Sequence, residues 1–294
     1  MIIYQKKPML ASENLAINNI CLEKIKNNEH EFLARIYYHK KAAILARNES
    51  KNDLQITNCE RLGYEIAKRP TGGSAIIVNS KNAICYSLFF KKNYFKKAFN
   101  ISFVYKKITF LLAKKLGNNF SVKGTYYLRH NNIPLAGHAM RTLNNAIQFD
   151  GVLHLTNLDS IINDELIKTR KLYDSELGKI VFFDNNYYSL KNQKKLNQNP
   201  SNMILLSDEN EEIKKIKGLN STDLTLENFL NCFYETINEL FQNQEIFDSI
   251  QPLNINEEEI LKHQSKILNE DYLLKGKTRR GHCFVDFLEP ENQF

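Results

Sequence analysis

AKRPTGGSAIIVNS, residues 67–80, is the stretch on which the reading of the fold turns. The chain has 11 glycines in 294 residues, yet it sets Gly72 and Gly73 side by side, just after Lys68 and Arg69 and before an apolar run. Two structures satisfy that pattern. One is a tight turn between strands. The other is a loop kept bare of side chains, because glycine reaches positive φ and lets backbone N–H groups converge on a phosphate, with Lys68 or Arg69 adding charge. Either way the glycines lie between strands. YEIAKR (64–69) enters the loop and AIIV (75–78) leaves it. NAICYSLFF (82–90) is then expected to answer AIIV as a hairpin closed by NSKN.

Working outward, KAAILAR (41–47) reads as a short buried strand. SENLAINNICLEKIKN (12–27) begins with a capping serine and spaces Ile17, Ile20, Leu22 and Ile25 as a helix does. Residues 100–116 form a second helix, stopped by Gly117. Residues 125–155 read as three strands joined by Asn-Asn turns at 131–132 and 144–145, and Pro134 marks the middle strand as an edge or as bulged. A helix over 161–171, a hairpin over 179–190 and a loop over 191–202 are expected next. The strongest helix covers 225–242, where Leu226, Phe229, Leu230, Phe233, Ile237, Leu240 and Phe241 make one apolar face for the core. A weaker helix covers 256–268. The fold class is α+β: mixed β-sheets with packed helices.

Composition excludes several classes. With 43% hydrophobic and 25% charged residues the chain is an ordinary globular one, long enough for a large core. It has no apolar run of about 18 residues, and MIIYQKKPML has no signal-peptide core, so neither a membrane span nor export is expected and the location is read as cytoplasmic. Cys21, Cys59, Cys85, Cys232 and Cys283 are odd in number and lack C-x-x-C spacing, which speaks against a disulfide framework or a metal site. The net charge of +7 is spread along the chain without a nucleic-acid motif, so nucleic acid is not an expected partner. LKGKTRRG (274–281) contains Gly-Lys-Thr, but a phosphate-binding loop of that kind needs glycine where Asp271 stands. No nucleophile elbow or histidine ligand spacing is present. The glycine loop is the one chemical lead.

KRPTGGSAIIV resembles the Arg-Arg-x-Thr-Gly-Gly-Gly-Ala-Val-x-His signature of the lipoate–protein ligase and octanoyltransferase family. Lys68, Arg69, Thr71, Gly72, Gly73, Ser74 and Ala75 stand at its positions. Other pieces follow in the family's order. SENLAINNICLEKI is similar to the opening helix Asn-Met-Ala-x-Asp, with Asn14, Ala16 and Asn18 in place. AILARNES resembles the strand ending Gly-Arg-x-Gln, with Arg47 and Glu49. NAICYSLFF resembles Gly-x-Leu-x-Tyr-Ser, with Tyr86 and Ser87. IPLAGHAMR resembles Lys-Ile-Ala-Gly-Ser-Ala-x-Arg, with Ala136, Gly137, His138, Ala139 and Arg141. FDGVLHL and NEDYLLKGKT resemble His-Gly-x-Leu-Leu and the Gly-Lys-Thr close, so the likeness spans about residues 10–278.

The resemblance implies a biotin/lipoate ligase-like catalytic domain over 1–278, followed by a tail, 279–294, without an accessory domain. It implies that Arg47, Lys68, Arg69, Thr71, Gly72, Gly73, Ser74, Ala75, Tyr86, Ala136, Gly137, His138, Ala139 and Arg141 bind substrate. Ligases of the family use ATP and Mg2+ to make an adenylate of lipoate or octanoate. They then acylate a lysine of a lipoyl domain, in 2-oxoacid dehydrogenases or the glycine cleavage H protein, in some cases with a separate accessory protein. The transferases instead move the acyl group through a cysteine thioester, without ATP.

The sequence departs from the family at telling places. The family lysine, three residues before Gly137, falls on Pro134, which carries no charge and no N–H. The transferase cysteine falls at Asn119 and Phe120, and the histidine of His-Gly on Asp150. Val78 replaces the histidine after the loop. Cations that could stand in for the lysine are Lys123, Arg129 and His138. Three readings stay open: an adenylate-forming ligase, an ATP-independent transferase, and a non-catalytic relative that binds an acyl group or a lipoyl domain.

Overall fold

The computed structural model describes residues 1–95, 101–123, 127–131, 133–156, 166–167, 169–174, 179–184, 219, 222–241 and 255–274. In chain order these give β1 (Ile2–Met9), α1 (Ala11–Lys26), β2 (Phe32–His39), β3 (Ala42–Leu45), α2 (Ile56–Arg61), β4 (Glu65–Lys68), β5 (Ile76–Val78) and β6 (Ala83–Lys91). There follow α3 (Ile101–Leu116), β7 (Phe120–Lys123), β8 (Tyr127–His130), β9 (Ile133–Leu143), β10 (Ala146–His154), β11 (Thr169–Asp174) and β12 (Lys179–Asp184). The last elements are α4 (Leu226–Leu240), α5 (Glu257–Ile267) and α6 (Glu270–Leu274). The mixture is α+β.

Seven strands form the main sheet in the order β1-β2-β6-β10-β9-β8-β7. Every residue of the central strand β6 is buried, because both faces of the sheet are covered. One face lies under α3 and α4. Its core joins Tyr86, Leu88 and Phe90 of β6 and Phe149 of β10 to Tyr105 and Ile108 of α3 and Phe229, Phe233 and Ile237 of α4. Burying each large side chain there contributes about 1.5–3 kcal/mol. The apolar face expected of α4 is the one that packs, and Thr225 caps the helix by accepting the Asn228 N–H at 3.1 Å. Gly117, at φ +111°, closes α3 as expected of a C-terminal glycine.

The opposite face of the main sheet packs on α1 and on a three-stranded sheet, β4-β3-β5. Here the hairpin expected of AIIV and NAICYSLFF does not exist. β5 pairs with β3 in the small sheet, and β6 crosses into the main sheet between β2 and β10. The turn at Asn79–Asn82 is present, but it passes the chain from one sheet to the other. Apolar runs buried on both faces give no indication of which neighbour they take. The cap of α1 also differs. The amides of Ala11 and Ser12 and the Ser12 hydroxyl all donate to Glu65 of β4, so a carboxylate from the small sheet caps the helix.

Three strands follow α3 and β7 much as the sequence indicates, with Asn131 and Asn144 at positive φ in their turns. β9 pairs with β10 only from Ala136 onward; Pro134 is in register with β8 alone and lies next to a bulge, so a locally unpaired side and the bulge together accommodate it. Ala136 opposes Leu128 and Pro134 opposes Arg129, which leaves Leu135 as the extra residue. The end of the helix expected over 161–171 is instead strand, since β11 begins at Thr169 and pairs antiparallel with β12, while residues 161–165 and 168 lie outside the described residues. The strand pairing outweighs the weak helical spacing. β12 thus has one partner upstream, in β11. Residues 185–190, the loop over 191–202, residues 276–278, Cys283 and the tail 279–294 lie outside the described residues. Among the described residues no helix is long and apolar enough to cross a membrane.

Candidate active site

The glycine loop leaves β4 and turns back over the main sheet. Arg69 builds it from within. Its Nη2 donates to the carbonyls of Gly72 and Ser74, both at 2.7 Å, and its Nη1 to that of Ile44 at 3.2 Å. Burial pulls the guanidinium below its ordinary value, and the nearby Glu49 opposes that. Gly73 has φ +90°, and a Cβ there would lie 3.0 Å from Arg69 Nη2. The glycine is thus needed for the turn and for the arginine beneath it. At Gly72 a Cβ would meet nothing within 4 Å, so this side of the loop is open. The Thr71 carbonyl accepts the Arg47 N–H at 2.9 Å, which ties the loop to the end of β3.

Below the loop, the sheet face toward α1 carries a buried polar network in a core that is otherwise apolar. Arg35 of β2, Ser87 of β6 and Asp150 of β10 stand side by side in the strand register. Ser87 Oγ donates to Asp150 at 2.7 Å, and Thr71 Oγ1 donates to the other carboxylate oxygen at 3.1 Å. Arg35 is fully buried and donates to the carbonyl and side-chain oxygens of Asn14, at 3.0 and 3.1 Å, and to Asn18 Oδ1. Its ring neighbour is Tyr37, 4.5 Å from the guanidinium carbon. Asn14 and Asn18 are one helical turn apart on α1, which is why both face this network.

A cationic rim borders the loop. Lys68 is buried, donates to the Tyr272 carbonyl of α6 at 3.1 Å and lies 5.1 Å from that ring's centre. Burial depresses the Arg141 guanidinium; Asp150 and Tyr272 counter this, and Arg47 adds to the depression by like-charge repulsion. Arg141 and Arg47 both act on Tyr272 as well. Arg141 is held by Gln148 Oε1 at 2.7 Å and by Asn19 Oδ1 at 2.5 Å.

The sequence-level candidates divide between the two faces of the main sheet. Arg47, Lys68, Arg69, Thr71, Gly72, Gly73, Ser74 and Ala75 belong to the loop and its border. Gly137, Ala139 and Arg141 lie on the β9 face turned to the network, since Ala139 is in register with Asp150. Tyr86 and His138 lie on the other face. The Tyr86 hydroxyl and His138 Nε2 are 2.6 Å apart, among Phe149, Phe229 and Phe233. Ala136 also belongs to that aromatic core. His138 is therefore not beside the glycine loop. Lys123 pairs through its backbone with Tyr127, and its side chain is outside the described residues.

Arg129 takes the position of interest. It is in register with Pro134, and its neighbour Leu128 faces the aromatic core, so Arg129 turns to the network face. Sequence reasoning passed over Arg35, Gln148 and Tyr272. A lone arginine inside the apolar strand FLARIYYH was the signal for Arg35. Nothing local marks Tyr272, which meets Lys68 across 204 residues.

The described cysteines are poor nucleophiles. Burial pushes Cys21 and Cys59 up to about 11, and pushes Cys85 higher still, so these groups stay thiols at neutral pH.

A family model described as lipoyl protein ligase A/B catalytic domain matches residues 11–217. No curated protein sequence matches the chain. Among solved structures, P. falciparum LipL1 in complex with lipoate aligns at TM-score 0.60 and 15% identity, covering 95% of this chain and 74% of that one. A bi-partite lipoate protein ligase from Thermoplasma acidophilum, solved in a study of it and its E2 lipoyl domain, aligns at TM-score 0.62 and 12% identity, covering 94% and 97%. Lipoate-protein ligase A bound with ATP aligns at TM-score 0.58 and 11% identity, covering 92% and 94%. At such identities these structures establish the fold. The family match over most of the sequence settles the lineage: the chain belongs to the lipoyl protein ligase A/B catalytic domain family.

Proposed function

We propose that this protein is a lipoate–protein ligase. It joins lipoate or octanoate to ATP, supplied with Mg2+, and passes the acyl group to a lysine of a lipoyl domain. In the first step a carboxylate oxygen of the acid bonds to the α-phosphorus and pyrophosphate leaves. In the second the lysine amine bonds to the acyl carbon, AMP leaves and a proton is released. The observation that carries this reading is the rim of Arg47, Arg141 and Lys68 around Tyr272, beside the open side of a glycine loop. Two arginines that repel each other are stabilised by an anion between them. A carboxylate or phosphate is such a ligand, and loop amides add donors for it. Mg2+ is proposed to arrive on the nucleotide phosphates.

The raised thiols of Cys21, Cys59 and Cys85 favour an adenylate over a thioester route. The molecules bound in the similar structures, lipoate in one and ATP in another, support the same substrates here. The Thermoplasma protein's E2 lipoyl domain supports the acceptor class, and its bi-partite build supports a separate accessory protein. Arg129, opposite Pro134, is proposed as the cation that meets the oxygens developing charge in the reaction.

The test is an intact-mass assay with an apo lipoyl domain, lipoate or octanoate, and MgATP. A parallel tube holds an octanoylated carrier without ATP. The ligase reading expects a mass gain only with ATP. A gain only with the carrier would identify a transferase. No gain in either, with the lipoyl domain still bound, would identify a binding relative. Arg129→Met is expected to slow the ATP-dependent gain roughly a hundred- to a thousandfold, the usual cost of losing one such electrostatic donor. An unchanged rate removes Arg129 from that role.

A further inference from the structure

We infer that Asp150 is a positioning residue, a half-buried strut that ties the glycine loop to helix α1 and to Arg141 through one carboxylate. Its two oxygens accept from Thr71 Oγ1 at 3.1 Å, from Ser87 Oγ at 2.7 Å and from Gln148 Nε2 at 2.9 Å to both. A carboxylate has about four acceptor positions, so these donors occupy it and leave it to hold and not to bind. From Ser87 the chain of hydrogen bonds continues to Asn18 at 3.2 Å and to Tyr37 at 3.1 Å. Asn18 in turn accepts from Arg35, inside α1's packing face. From Gln148 it continues to Arg141 on the rim. Thr71 is fully buried, so its hydroxyl has no water to fall back on.

The strut does something that the loop's other ties do not. Arg69 fixes the loop's own shape, and the Arg47 N–H fixes it to the small sheet. The Thr71–Asp150 bond fixes it to the main sheet, which carries Gly137, Ala139 and Arg141. It therefore sets the separation between the loop and the surface it covers. The negative charge also offsets Arg35, Arg69 and Arg141, all of which feel it.

The experiment is amide hydrogen exchange on the full, ligand-free chain, comparing wild type with Thr71→Val, Asp150→Asn and the double variant. Peptides over residues 69–75 are expected to exchange about tenfold faster in each single variant, as for one lost charge-assisted bond. The double variant is expected to be no faster than Asp150→Asn, and α3 is expected to be unchanged. Wild-type loop exchange in Thr71→Val overturns the inference, and so do single effects that multiply in the double variant. Should Asp150→Asn fail to fold, Thr71→Val removes only the hydroxyl and decides alone.

The kinetic consequence rests on the proposed reaction. With lipoate, MgATP and a lipoyl domain, Thr71→Val is expected to raise the KM for lipoate several-fold at nearly constant kcat. Partial unfolding alone would lower kcat at constant KM, and that result also overturns the inference. A wild-type protein without turnover defeats the proposed reaction, while loop exchange still decides the strut.

Discussion

Gly151 shows how tightly one residue can be specified. A Cβ built there would lie 2.1 and 2.2 Å from ring atoms of Tyr86, so the ring rests on bare backbone. The ring cannot step aside, because His138 holds its hydroxyl and Phe229 and Phe233 flank it. Gly151→Ala is expected to cost at least about 1–3 kcal/mol, the usual penalty of overpacking a filled core, measured by urea unfolding. The cost should fall when Tyr86 is shortened to leucine in the same chain. The glycine loop works differently. Gly73 is constrained by its positive φ and by Arg69 beneath it, whereas Gly72 has space around it. One glycine shapes the loop and the other leaves it open. From the sequence these two residues were indistinguishable, and so was the direction of Arg69. Charge beside a glycine pair suggests a ligand contact, yet here the arginine satisfies carbonyls of the loop itself.

Among elements, α6 has the most indirect hold on the site. It is a short helix, far in sequence from the loop, and Lys68 anchors it through the Tyr272 carbonyl and ring. Ser50 and Lys51 reinforce it from the other side, on Leu274 O at 3.0 Å and Glu270 at 3.0 Å. The lysine sits at the helix C-terminal end, where cations are stabilised. Lys68→Met keeps the aliphatic stem and removes this bond, so amides of Glu270–Leu274 are expected to exchange faster by roughly tenfold or more. Exchange at the wild-type rate would mean that Ser50 and Lys51 suffice. Elements with one apolar face, such as α4, and turns marked by Asn-Asn pairs were legible in the sequence. So was the anomaly at Pro134, because a missing N–H inside a strand must be accommodated somehow. The partners of β5 and β6 were not legible, since strands buried on both faces carry no alternation to orient them. The first half of β11, residues 169–171, was misread as helix because its pairing with β12 is a tertiary choice.

At the scale of the whole molecule, two sheets and a helix enclose a layer of largely buried polar groups, and acid should expose its cost. His39, at the end of β2, is buried beside Asn14 and near Tyr37. Burial, reinforced by Arg35, lowers its value from 6.5 to about 3, so it is folded as the neutral ring. In the unfolded chain it takes up a proton below about 6.5. Between about 6.5 and 3 the unfolded state thus binds more protons than the folded one, and stability must rise with pH across that window. The contribution is intact above 6.5 and is lost as pH falls toward 3. Taking the protein from pH 7 to pH 5 should remove about 2 kcal/mol through this residue alone. Urea unfolding of wild type and His39→Gln at both pH values isolates it: the variant starts less stable at pH 7 but should lose about 2 kcal/mol less on acidification. Equal losses in the two proteins would show that His39 is not buried as a neutral ring. The α1 side of the main sheet would then be more accessible to water than its hydrogen bonds imply.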